Sequence, residues 1–192
     1  GPMLDAVEPY VSAMDVFCED GAFTVPQAQR ILDEGIRRDI RTHIHAAQLG
    51  PSASVQMALQ HDVASIDHGT FLTESDIELL SNSPTVVTLL PGAEFSTKQP
   101  YPDARALIDA GVQVAIATNC NPGSSYTTSM SFCIALAVRE MGMTTSEALW
   151  SATAGGAKAL DRDDVGVIRV GALAKLVELA APSHVHLARR AE

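Results

Sequence analysis

Histidine and acidic side chains stand at the ends of successive apolar segments of the chain. His45 lies near the end of residues 41–46, and Asp67 with His68 ends residues 63–68. A neutral imidazole offers one nitrogen lone pair, so it can bind a divalent metal ion or transfer a proton near neutral pH. A lone histidine is usually a hydrogen-bonded core or rim residue, whereas two at successive segment ends favour a functional site.

A histidine pair and two carboxylates near these segments each allow two interpretations. His43 and His45 share one face of a strand because side chains alternate with period two. They could form a metal-binding pair, or His43 could lie one layer deeper and line the interior. The carboxylates Glu19 and Glu94 also stand at segment ends and face either a pocket or solvent, and no spacing rule assigns them a role.

A polar loop, residues 119–125, follows the apolar residues 112–118. Its turn leads towards a helix, where free N–H groups and hydroxyls can hold a carboxylate or another anion. The alternative is an ordinary helix-capping loop, which occurs in many α/β proteins. A second His-x-His, His184 with His186, lies in the late part of the chain and is interpreted as structural or surface-exposed.

Several chemistries are disfavoured by missing motifs. The sequence contains no G-x-S-x-G elbow, no P-loop and no G-x-G-x-x-G fingerprint, which counts against a serine hydrolase, an NTPase and a dinucleotide enzyme. The three cysteines are odd in number and lack C-x-x-C spacing, so neither a disulfide framework nor a thiolate zinc site is indicated. Metal-assisted hydrolysis remains as the chemical class.

The elements that position these residues follow an alternating rhythm. Short β-branched runs alternate with amphipathic stretches, which is typical of βα units around a parallel sheet. We predict an α/β fold: a partial TIM-like (β/α) barrel of about five βα units and a short β-rich carboxy-terminal segment. The predicted strands are residues 14–19, 41–46, 63–68, 85–91 and 112–118. The carboxyl ends of parallel strands face one rim, so the polar residues described above should converge there.

Capping signals predict the helices. One begins near Thr24, others follow Pro51, Thr73 and Pro102, a longer one spans residues 125–141, and a last one runs from Thr144 to about residue 160. From Gly166 onwards the pattern changes to short strands. We therefore divide the chain into a lead-in at 1–8 that contains a protease-cleavage remnant, a partial barrel at 9–162, and a small β-rich remnant with its tail at 163–192.

Composition restricts the partners. With 46% hydrophobic residues the chain can bury a core, and its net charge of −10 disfavours nucleic acids and anionic membranes. No apolar run approaches the roughly 20 residues of a membrane-spanning helix. The first 20 residues contain no Lys or Arg, unlike a secretory signal. We expect a cytoplasmic protein with a small-molecule substrate.

Four motifs resemble one family. HIHAAQ at 43–48, SIDHGT at 65–70, TLLPGAEF at 88–95 and ATNCNPGSS at 117–125 look like the last strands of imidazolonepropionase, a metal-dependent amidohydrolase. The resemblance covers about residues 9–188, and the NPGSS loop disfavours a cytosine or guanine deaminase. TTSEALWSATAGGAKAL at 144–160 is similar to a more general superfamily ending.

The resemblance implies an activity and a set of site residues. The family opens the ring of 4-imidazolone-5-propanoate to N-formimino-L-glutamate in histidine degradation, using zinc or iron. By position, His45 would be a metal ligand and His68 a catalytic histidine that polarises the substrate or moves protons. The implied substrate-binding residues are Gln48, Asn121, Gly123 and Ser124.

Two departures from the family pattern bear on activity. Asn119 occupies the position of an Asp that binds the metal and accepts a proton, and an amide has no basic oxygen. The family's first strand carries a His-x-His metal pair, and the residues before Met14 contain none. We therefore expect the carboxy-terminal part of a barrel, inactive or weak on its own. The alternative is a non-catalytic half-barrel fragment or a scaffold or binding domain.

The strand count also predicts assembly. A closed barrel needs eight strands, so five would leave two open edges and an exposed interior. Unpaired edges and apolar surface favour association. We expect a homo-oligomer, most simply a two-fold dimer, or else a monomer whose carboxy-terminal strands fold across the gap.

Overall fold

Five short parallel strands form one sheet in the computed structural model, which describes residues 1–189. The strands follow chain order across the sheet, and each pairs in parallel with the next. They are β1 Ala13–Phe17, β2 Arg41–Ala46, β3 Ser65–His68, β4 Val86–Leu89 and β5 Val114–Ile116. The prediction of a partial barrel of five βα units is confirmed. β2 has the predicted boundaries, and those of the other strands differ by a few residues.

One helix precedes the first strand and the others follow the strands, and several of those between strands pack against one face of the sheet. They are α1 Pro2–Val7, α2 Val25–Arg37, α3 Ser54–Leu59, α4 Glu74–Ser81, α5 Pro91–Thr97, α6 Ala104–Asp109, α7 Met130–Glu140, α8 Thr145–Trp150 and α9 Gly156–Ala159. A π-helical turn, Ser151–Gly155, joins α8 to α9, and 3-10 turns cover Glu8–Tyr10 and His184–Ala188. None of the helices within residues 1–189 is long and apolar enough to cross a membrane.

The helix start predicted near Thr24 and the cap predicted at Thr73 are both formed. Thr24 begins α2 with a reciprocal capping box, in which its backbone N–H donates to Gln27. Thr73 Oγ1 accepts from the backbone N–H of Asp76 at 3.2 Å, and the carboxylate of Asp76 accepts from the Thr73 N–H at 2.9 Å. These bonds satisfy backbone donors that a helix start leaves open, so they fix where α2 and α4 begin.

The alternation of β2 sorts its side chains between two environments. Thr42, Ile44 and Ala46 are buried under the helices, and Arg41, His43 and His45 lie on the other face at intermediate exposure. We call this second face the inner face. The matching register of the neighbouring strands adds further polar residues to it, and a cleft lies over it whose lining includes Asp15, His43, Ser65, Asp67 and Thr88.

The free edge of β5 is covered by the carboxy-terminal helices. In β4, the N–H of Val87 donates to the Gln113 carbonyl, and the carbonyl of Leu89 accepts from the Ala117 N–H. Because alternate residues of a parallel strand bond to the same neighbour, the Val114 carbonyl points away from β4. Gly155 packs so tightly on that carbonyl oxygen that any Cβ would clash with it. Beyond it, Ala159 packs with Val86 and Ala115, so α9 covers part of the inner face.

Two parts of the sequence prediction are wrong. The helix predicted over residues 125–141 begins at Met130, because Ser125 is held in the preceding loop by a bond from its Oγ to the Thr118 carbonyl and Ser129 caps the helix. The short strands predicted after Gly166 are not formed within residues 163–189. That segment has Leu173 N bonded to Asp164 O and ends in the 3-10 turn that carries His184 and His186.

Candidate functional site

Two imidazoles meet at the carboxyl rim of the sheet. The rings of His45 and His68 lie edge to face, with centroids 5.2 Å apart and planes at 62°. They are neighbours because β2 and β3 are paired in register, with His45 opposite Asp67. His68 has a left-handed backbone, with φ of 79°, at the point where its strand ends. The predicted convergence of these two histidines at one rim is confirmed.

Acidic side chains surround His45. Its Nδ1 lies 3.1 Å from an Asp15 carboxylate oxygen and 3.8 Å from one of Asp67. Burial alone would lower the pKa of His45, but the hydrogen bond and charge of Asp15, with the charge of Asp67, outweigh it and raise the pKa above its ordinary value. The two carboxylates therefore favour the protonated form of the His45 ring.

His43 lies one layer below, in a chain of polar contacts on the inner face. Its Nδ1 is 2.8 Å from Ser65 Oγ, which donates to Asp67 at 2.7 Å. Burial lowers the pKa of His43, against the charge of Asp67. Of the two alternatives left open by the sequence, the structure favours the one in which His43 lines the interior.

His68 is buried together with a carboxylate that the sequence left without a role. The side chains of His68 and Glu94 are 1% and 2% exposed, and His68 Nδ1 lies 3.7 Å from Glu94 Oε1. Thr70 Oγ1 donates to the same carboxylate oxygen at 2.8 Å. Within the described residues, His68 Nδ1 and Glu94 Oε2 are buried without a hydrogen-bond partner. The position of Glu94 after β4, in TLLPGAEF, was the available signal, but nothing in the sequence shows its burial.

Glu19 fixes the loop that follows His45. Its carboxylate accepts from the backbone N–H of Gln48 at 2.6 Å. Burial raises the pKa of Glu19, although the backbone bonds from Gln48 and Leu49 and the nearby His68 oppose that rise. The predicted substrate residue Gln48 is therefore held at the rim by its backbone, and its side chain makes no hydrogen bond to any of residues 1–189.

The polar loop after β5 is closed by its own hydrogen bonds. Asn121 Oδ1 accepts from the N–H groups of Gly123 at 2.7 Å and Ser124 at 2.8 Å, and Asn121 Nδ2 donates to the Asn119 carbonyl at 2.7 Å. The three predicted substrate residues thus form one turn, and their role in binding stays a prediction. Asn119 has a left-handed φ of 49° and is partly exposed.

A complete metal centre is not assembled by this part of the protein. Among residues 1–189 no group of three or more His, Cys, Asp or Glu side chains is arranged to hold a metal ion. Zinc sites use at least three protein ligands. His45 and Asn119 alone therefore do not fit a full ligand set.

The sheet, its polar carboxyl rim and the motifs along it define the class of protein. The model of the amidohydrolase family matches residues 16–189, and the chain belongs to that family. It is 60% identical over 190 residues to imidazolonepropionase of Cutibacterium acnes, covering 99% of this chain and 48% of that protein. It is also 60% identical to imidazolonepropionase of Streptomyces coelicolor, over 99% of this chain and 49% of that protein.

The chain thus spans about half the length of the curated relatives it matches. Among solved structures, an adenosine deaminase from Xanthomonas campestris with bound zinc matches with a TM-score of 0.68 and 22% identity, over 84% of this chain and 42% of that one. At this identity the likeness supports the fold alone.

Proposed function

We propose that the chain carries part of the hydrolytic site of an imidazolonepropionase, which opens the ring of 4-imidazolone-5-propanoate to N-formimino-L-glutamate in histidine degradation. The observation that carries the proposal is the buried His68, which has the ring of His45 on one side and the Glu94 carboxylate 3.7 Å from its Nδ1. The 60% identity to imidazolonepropionase along 99% of the chain supports the choice of substrate.

The reaction is a hydrolysis of a cyclic amide, and it needs proton transfer at two points. The water oxygen bonds to the ring carbonyl carbon, the C–N bond breaks, and the water's proton passes to the departing nitrogen. His68 is the group proposed to move that proton, because an imidazole can accept and return one near neutral pH. The buried carboxylate of Glu94 stabilises the imidazolium that forms in between.

The substrate carries a propanoate, which needs hydrogen-bond donors. Ser124 in the turn after β5 and Gln48 in the loop after β2 are the proposed donors, with Asn121 and Gly123 shaping the turn. A zinc or iron ion is proposed for the working enzyme, with His45 and Asn119 as ligands and the remaining ligands from outside this 192-residue sequence. The cytoplasm is the proposed compartment.

A second candidate is a non-catalytic half-barrel that serves as a scaffold or binding domain. Asn119 favours it, because an amide cannot take the proton that a carboxylate would accept at that position.

For the chain on its own, we also propose that the inner face is covered by a second copy of the chain in a two-fold dimer. The cleft over that face lies between Asp15 on one side and Gly166 on the other. Light scattering at increasing protein concentration tests this assembly, and a monomer at high micromolar concentration would exclude it.

The function is tested with two preparations. One is the chain alone, and the other, which we call the paired preparation, is the chain purified together with the part of the Cutibacterium acnes imidazolonepropionase that lies outside their alignment. We expect product from the paired preparation, with about one bound metal ion per pair, and little from the chain alone. A paired preparation that binds metal and forms no product would favour the scaffold.

A further inference from the structure

His68 is approached by two carboxylates, and their hydrogen bonds differ. The charge of His68 lowers the pKa of Glu19, and Glu19 Oε1 already accepts from the backbone N–H of Gln48 at 2.6 Å. Glu94 lies 3.7 Å from His68 Nδ1, and its Oε2 is buried without a partner among the described residues. Only one of the two carboxylates is therefore directed at a specific ring nitrogen that itself has no partner.

The Glu94 carboxylate is held in place from its other side. Thr70 Oγ1 donates to Glu94 Oε1 at 2.8 Å, and Thr70 follows His68 closely in the loop after β3. Glu94 is in the first turn of α5, and its side chain is 2% exposed. The strand end, the threonine and the helix start thus fix both partners, and water has little access to either.

The distance from Nδ1 to the carboxylate is slightly longer than a hydrogen bond. A ring rotation or side-chain shift of under about 1 Å brings the two atoms to the usual 2.7–2.9 Å of a charge-assisted bond. Leaving a buried donor unpaired is costly, and the contact with Glu94 is the one within reach that satisfies His68 Nδ1.

We propose that Glu94 is a positioning residue for His68. Its carboxylate accepts a hydrogen bond from the Nδ1–H of His68, and the lone pair of the imidazole is therefore on Nε2. The same arrangement orients metal-bound and catalytic histidines in general, because a carboxylate on one ring nitrogen selects the tautomer. The catalytic meaning of this tautomer rests on the proposed function. The tautomer itself does not.

The test is a two-bond ¹H–¹⁵N correlation spectrum of the full chain labelled in its histidines, recorded at about pH 8, where free imidazoles are neutral. The His68 signal is assigned by its loss in His68→Asn. In the unmodified chain we expect the Nδ1–H tautomer to exceed the Nε2–H tautomer by about tenfold or more, as a bond to a charged acceptor supports.

Glu94→Gln should abolish that preference, because its amide can donate to Nδ1 as well as accept from it. Thr70→Val keeps the carboxylate and removes its anchor, so a smaller loss of preference is expected, and this variant carries the test if Glu94→Gln does not fold. Two matched controls should leave the tautomer ratio unchanged: Glu19→Gln, which removes a carboxylate that interacts with His68 only through charge, and the exposed Glu74→Gln.

An Nε2–H tautomer in the unmodified chain, or a ratio that Glu94→Gln and Thr70→Val leave unchanged, would overturn the proposal. A tautomer ratio that changes in Glu19→Gln and not in Glu94→Gln would assign the positioning role to Glu19 and would also overturn the proposal. Because the spectrum needs no turnover, failure of the hydrolysis assay and failure of this inference are separate results.

Discussion

The rings of His45 and His68 meet edge to face with centroids 5.2 Å apart, although they belong to different strands. Asp15 contacts the first ring, and Glu94 approaches the second. The register of β2 on β3 produces this contact, and the left-handed turn at His68 directs the second ring into it. The two imidazoles therefore share one environment, and the protonation and orientation of each ring depend on the carboxylates around them.

Asn119→Asp should raise the rate of ring opening in the paired preparation by about a hundredfold, because a carboxylate at this position can accept a proton. The left-handed backbone of Asn119, with φ of 49°, is tolerated by Asp as well as Asn, so the fold should be retained. The same change in the chain alone should leave product formation near background. Steady-state assays of both preparations check this, and an unchanged rate in the paired preparation would contradict it.

Gly155→Ala should destabilise the chain by about 1–3 kcal/mol, because the added methyl group overpacks against the carbonyl oxygen of Val114. Gly156→Ala is the matched control. Its nearest atom would be the Ser151 oxygen at 3.9 Å, so it should be neutral or stabilise the helix by up to about 1 kcal/mol. Urea unfolding of both variants measures the difference, and equal free energies of unfolding would show that the helical cover on β5 is looser than described.

Alkylation should label one of the three cysteines of the folded chain rapidly. Cys120 is exposed, whereas Cys18 and Cys133 are buried. Burial raises the pKa of both buried thiols, that of Cys133 to about 11, so little reactive thiolate forms there at neutral pH. Mass spectrometry after brief iodoacetamide treatment should find the label on Cys120, and on all three cysteines in denaturant. Rapid native labelling of Cys133 would contradict the packing of α7.

Glu147→Gln should lower stability at neutral pH and have no effect in strong acid. The hydrogen bond from Arg105, with that from the Thr144 N–H, lowers the pKa of Glu147 to about 2. A carboxylate whose pKa is lowered by folding stabilises the fold fully when the pH is above its pKa in the unfolded chain, here 4.5. This contribution is lost as the pH falls towards the folded-state pKa of about 2.

The difference in unfolding free energy between the unmodified chain and Glu147→Gln should therefore shrink across that pH range. Exposed Glu74→Gln is the control. A difference that does not change with pH would show that the Arg105 contact contributes nothing.

The strands were predictable because buried parallel strands are marked by local composition. β2 has the predicted bounds, and α2 and α4 begin at Thr24 and Thr73 as the sequence indicates, since a capping box needs only residues three positions apart. The helix start at Met130 was not predictable from the same signals. It depends on the Ser125 hydroxyl reaching back to the Thr118 carbonyl, which is a contact set by the loop as a whole.

The site was predictable in its residue types and less so in its contacts. His45 and His68 were located by strand ends alone, and their proximity follows from strand order. The role of Glu94 was not predictable, because its burial against His68 depends on how the start of α5 packs against the loop that carries Thr70. The carboxy-terminal strands were predicted from glycine and proline spacing, which marks turns but does not supply a strand partner.

The initial rate of N-formimino-L-glutamate formation by the paired preparation, compared with that of its His68→Asn variant, tests the central claim most directly. Because His68 is the proposed proton-transfer group, its loss should lower the rate by about 10²–10⁴-fold, while the pair still co-purifies and retains its metal. The exposed Glu74→Gln variant should keep the full rate. A His68→Asn pair that hydrolyses the substrate at the rate of the unmodified pair would contradict the account.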